Sequence, residues 1–298
     1  MSECNFGLNF RDMTLSDVPA IREMLENDPV RTCDRTLCGL YLWGLYYEYK
    51  MCIADGTLYI KGRDENGEPA YAFPVGGDTA AAVERILLHC RKNGEEARFS
   101  FVPASLLPKL PGGRAEKLSG WSDYVYAADS LATLSGKKLH KKKNRFNKFV
   151  ADHPEHELVP ITAETLPEAV DFYKKYCDEA GFADPRLYAE RAAIERVFAE
   201  FGKLGIFGAV LRAEGRCVGF SVGDRVGDTL YIHFEKADKS VEGAYEALNC
   251  LFVRENAAGC AYVDMEEDMD EPGIRQAKTA YNPVMLIDKY EVVFDTAN

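Results

Sequence analysis

Leu158-Val-Pro-Ile-Thr-Ala-Glu-Thr-Leu-Pro-Glu-Ala-Val-Asp-Phe-Tyr173 starts as an apolar run, passes through a threonine cap followed by Glu164 and Thr165, and ends in apolar residues at helical spacing. Leu166, Ala169, Val170 and Tyr173 share one helical face, so the stretch predicts a strand, a cap and an amphipathic helix. Roughly 150 residues earlier the same grammar occurs in Phe10-Arg-Asp-Met-Thr-Leu-Ser-Asp-Val-Pro-Ala-Ile-Arg-Glu-Met-Leu25, with Val18, Ile21, Met24 and Leu25 as the apolar face. The chain opens the same way twice.

The two openings also continue alike. Thr57–Lys61 and Ala70–Val75 flank a turn at Asp64–Pro69 and lead to a helix over Thr79–Lys92 and a strand over Ala97–Val102. In the second half, Ile206–Leu211, Cys217–Val222 and Thr229–Phe234 form a meander, followed by a helix over Glu242–Ala257 and a strand over Ala261–Met265. Antiparallel strands followed by a helix and a further strand define an α+β unit whose mixed central sheet is flanked by helices. The expectation is two such units, residues 1–130 and 158–298, joined by a basic helix over 131–157. A single large α/β sheet with chance similarity between the two openings is the alternative. The length of 298 residues and a hydrophobic fraction of 47% accommodate two cores.

The joining segment, Gly136-Lys-Lys-Leu-His-Lys-Lys-Lys-Asn-Arg-Phe-Asn-Lys-Phe149, packs seven Lys/Arg into fourteen residues of a chain whose net charge is -12. As a helix it gathers Leu139, Phe146, Phe149 and Val150 into one stripe and leaves Lys137, Lys138, Lys141, Lys142, Arg145 and Lys148 around it. Like charges at i,i+4 destabilise a helix by a few tenths of a kcal/mol per pair. No acidic residue lies between Leu134 and Val150 to relieve them. Such crowding calls for acidic neighbours elsewhere in the fold or for an anionic ligand; a plain solvated connector is the simpler reading. An acidic protein repels polyanions on average, so contact with nucleic acid or anionic lipid must use this patch.

The apolar windows are interrupted by charges well short of the ~20 residues a spanning helix needs, and the N-terminus shows no basic segment followed by an apolar run. Nine scattered cysteines without C-x-x-C spacing fit reduced thiols. The expected location is the cytoplasm. His153 and His156 read as a surface turn; no metal site is expected, and no G-x-S-x-G, Walker or H-E-x-x-H pattern occurs.

The order of elements resembles the GNAT acyltransferase fold used twice. More closely, 136–149, Phe234-Glu-Lys-Ala-Asp238, Glu242–Asn249, Tyr262-Val-Asp-Met-Glu-Glu-Asp268, Pro272–Lys278 and Tyr281-Asn-Pro283 resemble the C-terminal catalytic domain of phosphatidylglycerol lysyltransferase and its soluble relatives, which are related in turn to the Fem aminoacyl-transferases. The resemblance covers most of residues 130–290 and implies a tandem GNAT architecture, with the reacting groups between the halves or in the second half. It departs from acyl-CoA enzymes at Ala237–Tyr245, which replaces the Q/R-x-x-G-x-G/A phosphate loop. That stretch offers only Ser240 and Gly243 to a cofactor and places Asp238 and Glu242 where a diphosphate would be received.

Acyl transfer needs a proton acceptor, donors toward the developing oxyanion and a group to protonate the leaving atom. The fold resemblance places the oxyanion donor on the backbone of Thr229–Glu235 and an acid tyrosine near Tyr281. His233 and Glu235 alternate with Ile232 and Phe234 and are expected to point to one sheet face as catalytic groups. Asp264, Glu266 and Glu267 are placed to orient an ammonium-bearing aminoacyl group. Arg275 and Lys278, on one helix turn, are placed to meet a phosphate or to pair with those carboxylates; Lys138, Lys141, Lys142 and Arg145 are the expected anion contacts. The expected activity is aminoacyl transfer from aminoacyl-tRNA to an amine or hydroxyl acceptor, on a lipid or a small molecule. The rivals are a CoA-dependent N-acyltransferase using acetyl-CoA and a non-catalytic binder of nucleic acid or anionic phospholipid.

Overall fold

The computed structural model describes residues 7–180 and 185–294. The chain forms two compact units, 1–122 with 287–298, and 123–286.

In the first unit the elements are β1 (Arg11–Asp12), α1 (Val18–Glu26), α2 (Leu37–Trp43), β2 (Lys50–Ala54), β3 (Thr57–Arg63), β4 (Pro69–Tyr71), β5 (Val75–Gly76), α3 (Thr79–Asn93), β6 (Ala97–Pro103) and β7 (Arg114–Lys117). Its core sets Val83, Ile86 and Cys90 of α3 against Tyr59, Tyr71 and Phe99 of the sheet. Helix α3 starts at Asp78, whose carboxylate accepts from Ala80 N and Ala81 N, and stops at Gly94 in the left-handed conformation.

The second unit contains β8 (Asp123–Ala127), α4 (Ala128–Thr133), α5 (His140–Asp152), β9 (Glu157–Pro160), α6 (Leu166–Ala180), α7 (Pro185–Glu200), β10 (Phe207–Ala213), β11 (Arg216–Val226), β12 (Thr229–Ala237), α8 (Ala244–Asn256), β13 (Tyr262–Asp264), α9 (Pro272–Thr279) and β14 (Met285–Ile287). Phe172 and Tyr173 of α6 and Phe198 of α7 pack on Phe220 of β11. Elsewhere in this unit, Phe149 of α5 and Ala244, Ala247 and Leu248 of α8 close over Leu211 and Val218. The last strand, β15 (Lys289–Phe294), belongs to the first unit.

Both sheets are mixed and share one plan. The first runs β1-β2-β3-β4-β6-β15-β7, with β5 paired to β3, and the second runs β9-β10-β11-β12-β13-β8-β14. Each has a parallel step between its fourth and fifth places, β4 with β6 and β12 with β13. The sixth place is exchanged. β8 follows the first unit's strands in sequence yet pairs with β13, whereas β15 follows the second unit's strands and pairs with β6 and β7. The fold is thus a tandem of two GNAT-like α+β units, each a mixed sheet flanked by helices.

The repeated openings and the meander are where the sequence places them; the basic helix is shorter than the expected 131–157, α5 covering His140–Asp152 between the end of α4 at Thr133 and the start of β9 at Glu157. The unit limits differ from the expected 1–130 and 158–298: residues 123–130 and the basic helix lie within the second unit, and 287–298 lie within the first. The reason is the strand exchange, which periodicity within a segment does not reveal. Among the described residues no helix is long and apolar enough to cross a membrane. The cysteines described are free thiols.

Candidate functional site

The site is organised by β12. Its pairing with β13 runs from Thr229↔Tyr262 to Tyr231↔Asp264, after which β12 continues to Ala237. Past Asp264 the chain stays with β8, through Met265 N to Tyr124 O (3.0 Å) and Tyr124 N to Glu266 O (3.1 Å). The two strands therefore part at Tyr231. On the other side the register with β11 slips between Val222 and Gly223, pairing Gly223 with Ile232 and Val222 with Phe234, so His233 is the extra residue of a bulge. His233 and Glu235 lie on this parted section.

Glu235 accepts from Asn249 Nδ2 of α8 at 3.0 Å. Burial pushes its carboxyl up from an ordinary 4.5 to about 7; the Asn249 hydrogen bond and the charge of Lys142 oppose the rise and Glu246 adds to it. Lys142 Nζ lies 3.1 Å from Glu246 Oε1 and 4.0 Å from the centre of the Tyr281 ring. Tyr281 is buried, meets the Tyr126 ring edge-on at 6.3 Å, and is held protonated well above its ordinary range by burial and then by Glu235 and Glu246. These residues join one partly enclosed polar cluster: a carboxylate poised near neutrality, a lysine, and a phenol kept as a donor.

A second pair stands beside it. His233 Nδ1 is 2.7 Å from Glu266 Oε1, and burial raises the Glu266 carboxyl against the opposing pull of that hydrogen bond. Glu266, Met269 and Asp270 all have left-handed φ values of 61°, 51° and 59°, a conformation that non-glycine residues hold only under constraint. Lys278 supplies part of it by donating to the carbonyls of Met265 and Glu267. Arg275 supplies more, with Nε 2.8 Å from Asp268 Oδ2 and Nη2 2.6 Å from Asp270 Oδ1. Both cations are engaged by their own loop, where they position Glu266; neither makes the expected pairing with Asp264, Glu266 or Glu267, since Arg275 pairs with Asp268 and Asp270 and Lys278 bonds backbone carbonyls. Asp264, fully buried, accepts from Glu266 N at 2.8 Å and lies at the point where the strands part.

The basic helix is divided. Lys142 and Arg145 both reach Glu246, at 3.1 and 3.3 Å, and Lys148 reaches Asp152 at 2.8 Å and Glu242 at 3.7 Å. Among the described residues Lys137, Lys138, Lys141 and Lys143 make no ion pair, and all four are exposed. Crowded cations are thus relieved at Lys142, Arg145 and Lys148 by Glu246 of α8, by Glu242 just before it and by Asp152 of α5 itself, while Lys137, Lys138, Lys141 and Lys143 face solvent.

At the positions considered for a cofactor, Ser240 N and Oγ both bond Asp238 Oδ1, at 2.8 and 2.6 Å. Gly243 begins α8 with φ 80°, and a Cβ there would stand 2.4 Å from Arg145 O and 3.0 Å from Phe149 Cβ. The glycine lets α5 and α8 approach, and this contact accounts for it without a phosphate. Two residues not named as site candidates from the sequence belong to the cluster: Asn249, which closes the Glu242–Asn249 stretch, and Ser221 of β11, which is paired with Glu235 across the ladder. Both read in sequence as ordinary positions of an amphipathic helix and a buried strand.

Residues 29–293 match the family model described as phosphatidylglycerol lysyltransferase, C-terminal. An uncharacterised protein of Mycoplasmoides gallisepticum is 26% identical over 175 residues, 57% of this chain and 56% of the relative, so the match spans little more than half of that relative's length. Among solved structures, a conserved protein of unknown function from Bacteroides thetaiotaomicron is 29% identical over 97% of this chain and all of that one, with a TM-score of 0.90. L-PGS from Bacillus licheniformis is similar over 94% of this chain and 92% of its own (15% identity, TM-score 0.66). FemX shares the fold over 96% and 98% of the two chains at 9% identity and a TM-score of 0.62. With 265 of its 298 residues matched, the chain belongs to the phosphatidylglycerol lysyltransferase C-terminal family.

Proposed function

We propose that this protein transfers an aminoacyl group from aminoacyl-tRNA to a nucleophilic acceptor, using Glu235 as the proton acceptor. The observation that carries the reading is the carboxyl of Glu235, held near pH 7 by burial on the section of β12 that has parted from β13. A base at that value is half ionised at neutral pH and takes a proton without a large energetic penalty. Backbone N–H groups of the parted edge are suited to face a developing oxyanion, and Tyr281, kept protonated, is suited to supply the leaving oxygen with a proton. The His233–Glu266 pair stands beside this path as a second proton-handling group.

The donor side is supported by the four exposed, unpaired lysines at 137, 138, 141 and 143. Spaced along a helix, they suit the phosphates of an RNA backbone, which such contacts position without reading its sequence. An anionic phospholipid acceptor suits the same surface. The packing role of Gly243 and the acidic Asp238 and Glu242 weigh against coenzyme A.

The test is incubation with a pool of tRNAs charged with radiolabelled amino acids, in parallel with labelled acetyl-CoA. The reading expects label to leave the tRNA enzymatically and to appear in an acceptor, with none taken from acetyl-CoA. Transfer from acetyl-CoA alone would replace it with the CoA-dependent activity. Tight tRNA binding with no transfer to any acceptor would replace it with the binder.

A further inference from the structure

We propose that Glu235, Asn249 and Ser221 form a seat for a primary ammonium group, and that the acyl acceptor is therefore an amine; the inference rests on the acyl-transfer reading above. Two buried oxygens are unpaired beside the candidate base. Asn249, fully buried, gives its amide N–H to Glu235 Oε2, while its carbonyl Oδ1 has no partner. Ser221, also fully buried, has an unpaired Oγ. Its ladder partner is Glu235, and directly opposed residues of an antiparallel pair project to the same face with Cβ atoms ~5 Å apart. Both unpaired groups thus adjoin one carboxylate.

Leaving such groups unmatched costs roughly 1–3 kcal/mol each, so a buried set of this kind implies something that donates to it. The set is dominated by acceptor capacity: a carboxylate, an amide oxygen and a hydroxyl oxygen, the last also carrying one donor. A primary ammonium brings three N–H donors and can meet all three oxygens, whereas an alcohol brings a single O–H and cannot. A site built for several hydrogen bonds rejects the analogue lacking them far more strongly than an apolar pocket rejects a misfit. The facing charges are mixed, with Glu246 on α8, Lys142 on α5 and Lys278 on α9 around the carboxylate. Lys142 is already matched to Glu246, which leaves the Glu235 charge to the incoming cation.

The step then balances. The ammonium gives one proton to the Glu235 carboxylate, and the neutral nitrogen attacks the ester carbonyl. A C–N bond forms and the C–O bond to the ribose breaks. Tyr281 gives its proton to the ribose oxygen and takes the nitrogen's second proton in return, and Glu235 returns its own to solvent. The product is an amide.

The experiment uses the full chain with the labelled aminoacyl-tRNA pool and matched acceptors: vesicles of phosphatidylethanolamine or of phosphatidylglycerol, and a lysine-rich peptide beside its serine-for-lysine counterpart. Label is expected in the amine acceptors at least ~100-fold over the hydroxyl ones, in a bond that resists hydroxylamine. Ser221→Ala is expected to raise the KM for the amine about tenfold with kcat little changed, as loss of one hydrogen bond to a cation does. Label in the hydroxyl acceptors, released by hydroxylamine, would overturn the amine seat and leave acyl transfer standing. Label in neither would overturn both. Donors blocked by acetylation of the amino group provide a further arm. If they are no longer transferred, and Ser221→Ala changes the donor's KM instead, the seat holds the donor's ammonium and the proposal fails.

Discussion

Glu235 is held on the unfavourable side of its own titration. The unfolded chain gives it an ordinary value of 4.5 and the fold raises it to about 7, so between these pH values the native state binds more protons than the unfolded one. Stability must therefore fall as pH rises through that window and level off above it. Glu235→Gln is expected to remove this slope and to make the protein more stable at pH 8 by roughly 3 kcal/mol at most, while abolishing transfer. Urea unfolding at pH 5 and pH 8 checks it; a variant less stable than the parent at both would contradict the burial argument. Gly243→Ala acts in the opposite sense. A left-handed residue acquires a Cβ that overlaps the Arg145 carbonyl, so a loss of about 2–4 kcal/mol is expected in the same measurement.

At the scale of elements, α5 was legible as a helix with an aromatic stripe, and Leu139 and Phe149 are indeed buried while Phe146 and Val150 are partly so. What the letters could not tell was which cations the protein would neutralise. That depends on Glu246 and Glu242, about a hundred residues away, being carried to the helix by α8 and the turn before it. Asn249 and Ser221 were hidden for a related reason, since their significance lies in a hydrogen bond and a ladder register, neither of which leaves a local pattern. His233 and Glu235 were visible as polar residues in an otherwise apolar strand, but the bulge at His233 breaks the simple alternation that set them on one face opposite Ile232 and Phe234. The division of α5 carries a prediction. Affinity for tRNA should fall with salt at a log–log slope of about -3 to -4, as four phosphate contacts require, and Lys138→Ala with Lys141→Ala should lower the slope by about two. Filter binding between low and physiological salt measures it. An unchanged slope would move RNA off this helix.

For the whole chain, the exchanged strands decide what can fold alone. The second unit contains every strand of its sheet within 123–286 save the last residue of β14, Ile287, while the first depends on β15 from the far end of the sequence. Val292 and Val293 of that strand are buried, and each contributes about 1.5–3 kcal/mol. Residues 123–286 are therefore expected to unfold cooperatively when expressed by themselves. Residues 1–122 should not, until 287–298 are appended, and circular dichroism melts of the three fragments test it. The tandem plan was readable from the repeated openings, but the exchange was not, because β8 and β15 are short and their pairing is non-local. The central claim is that the polar cluster on the parted section of β12 performs acyl transfer. Its most direct measurement is the single-turnover rate of aminoacyl transfer from tRNA as a function of pH. The account predicts a rate rising about tenfold between pH 6 and pH 8 with a midpoint near 7, and no transfer by folded Glu235→Gln. A rate independent of pH, or equal transfer by that variant, would contradict it.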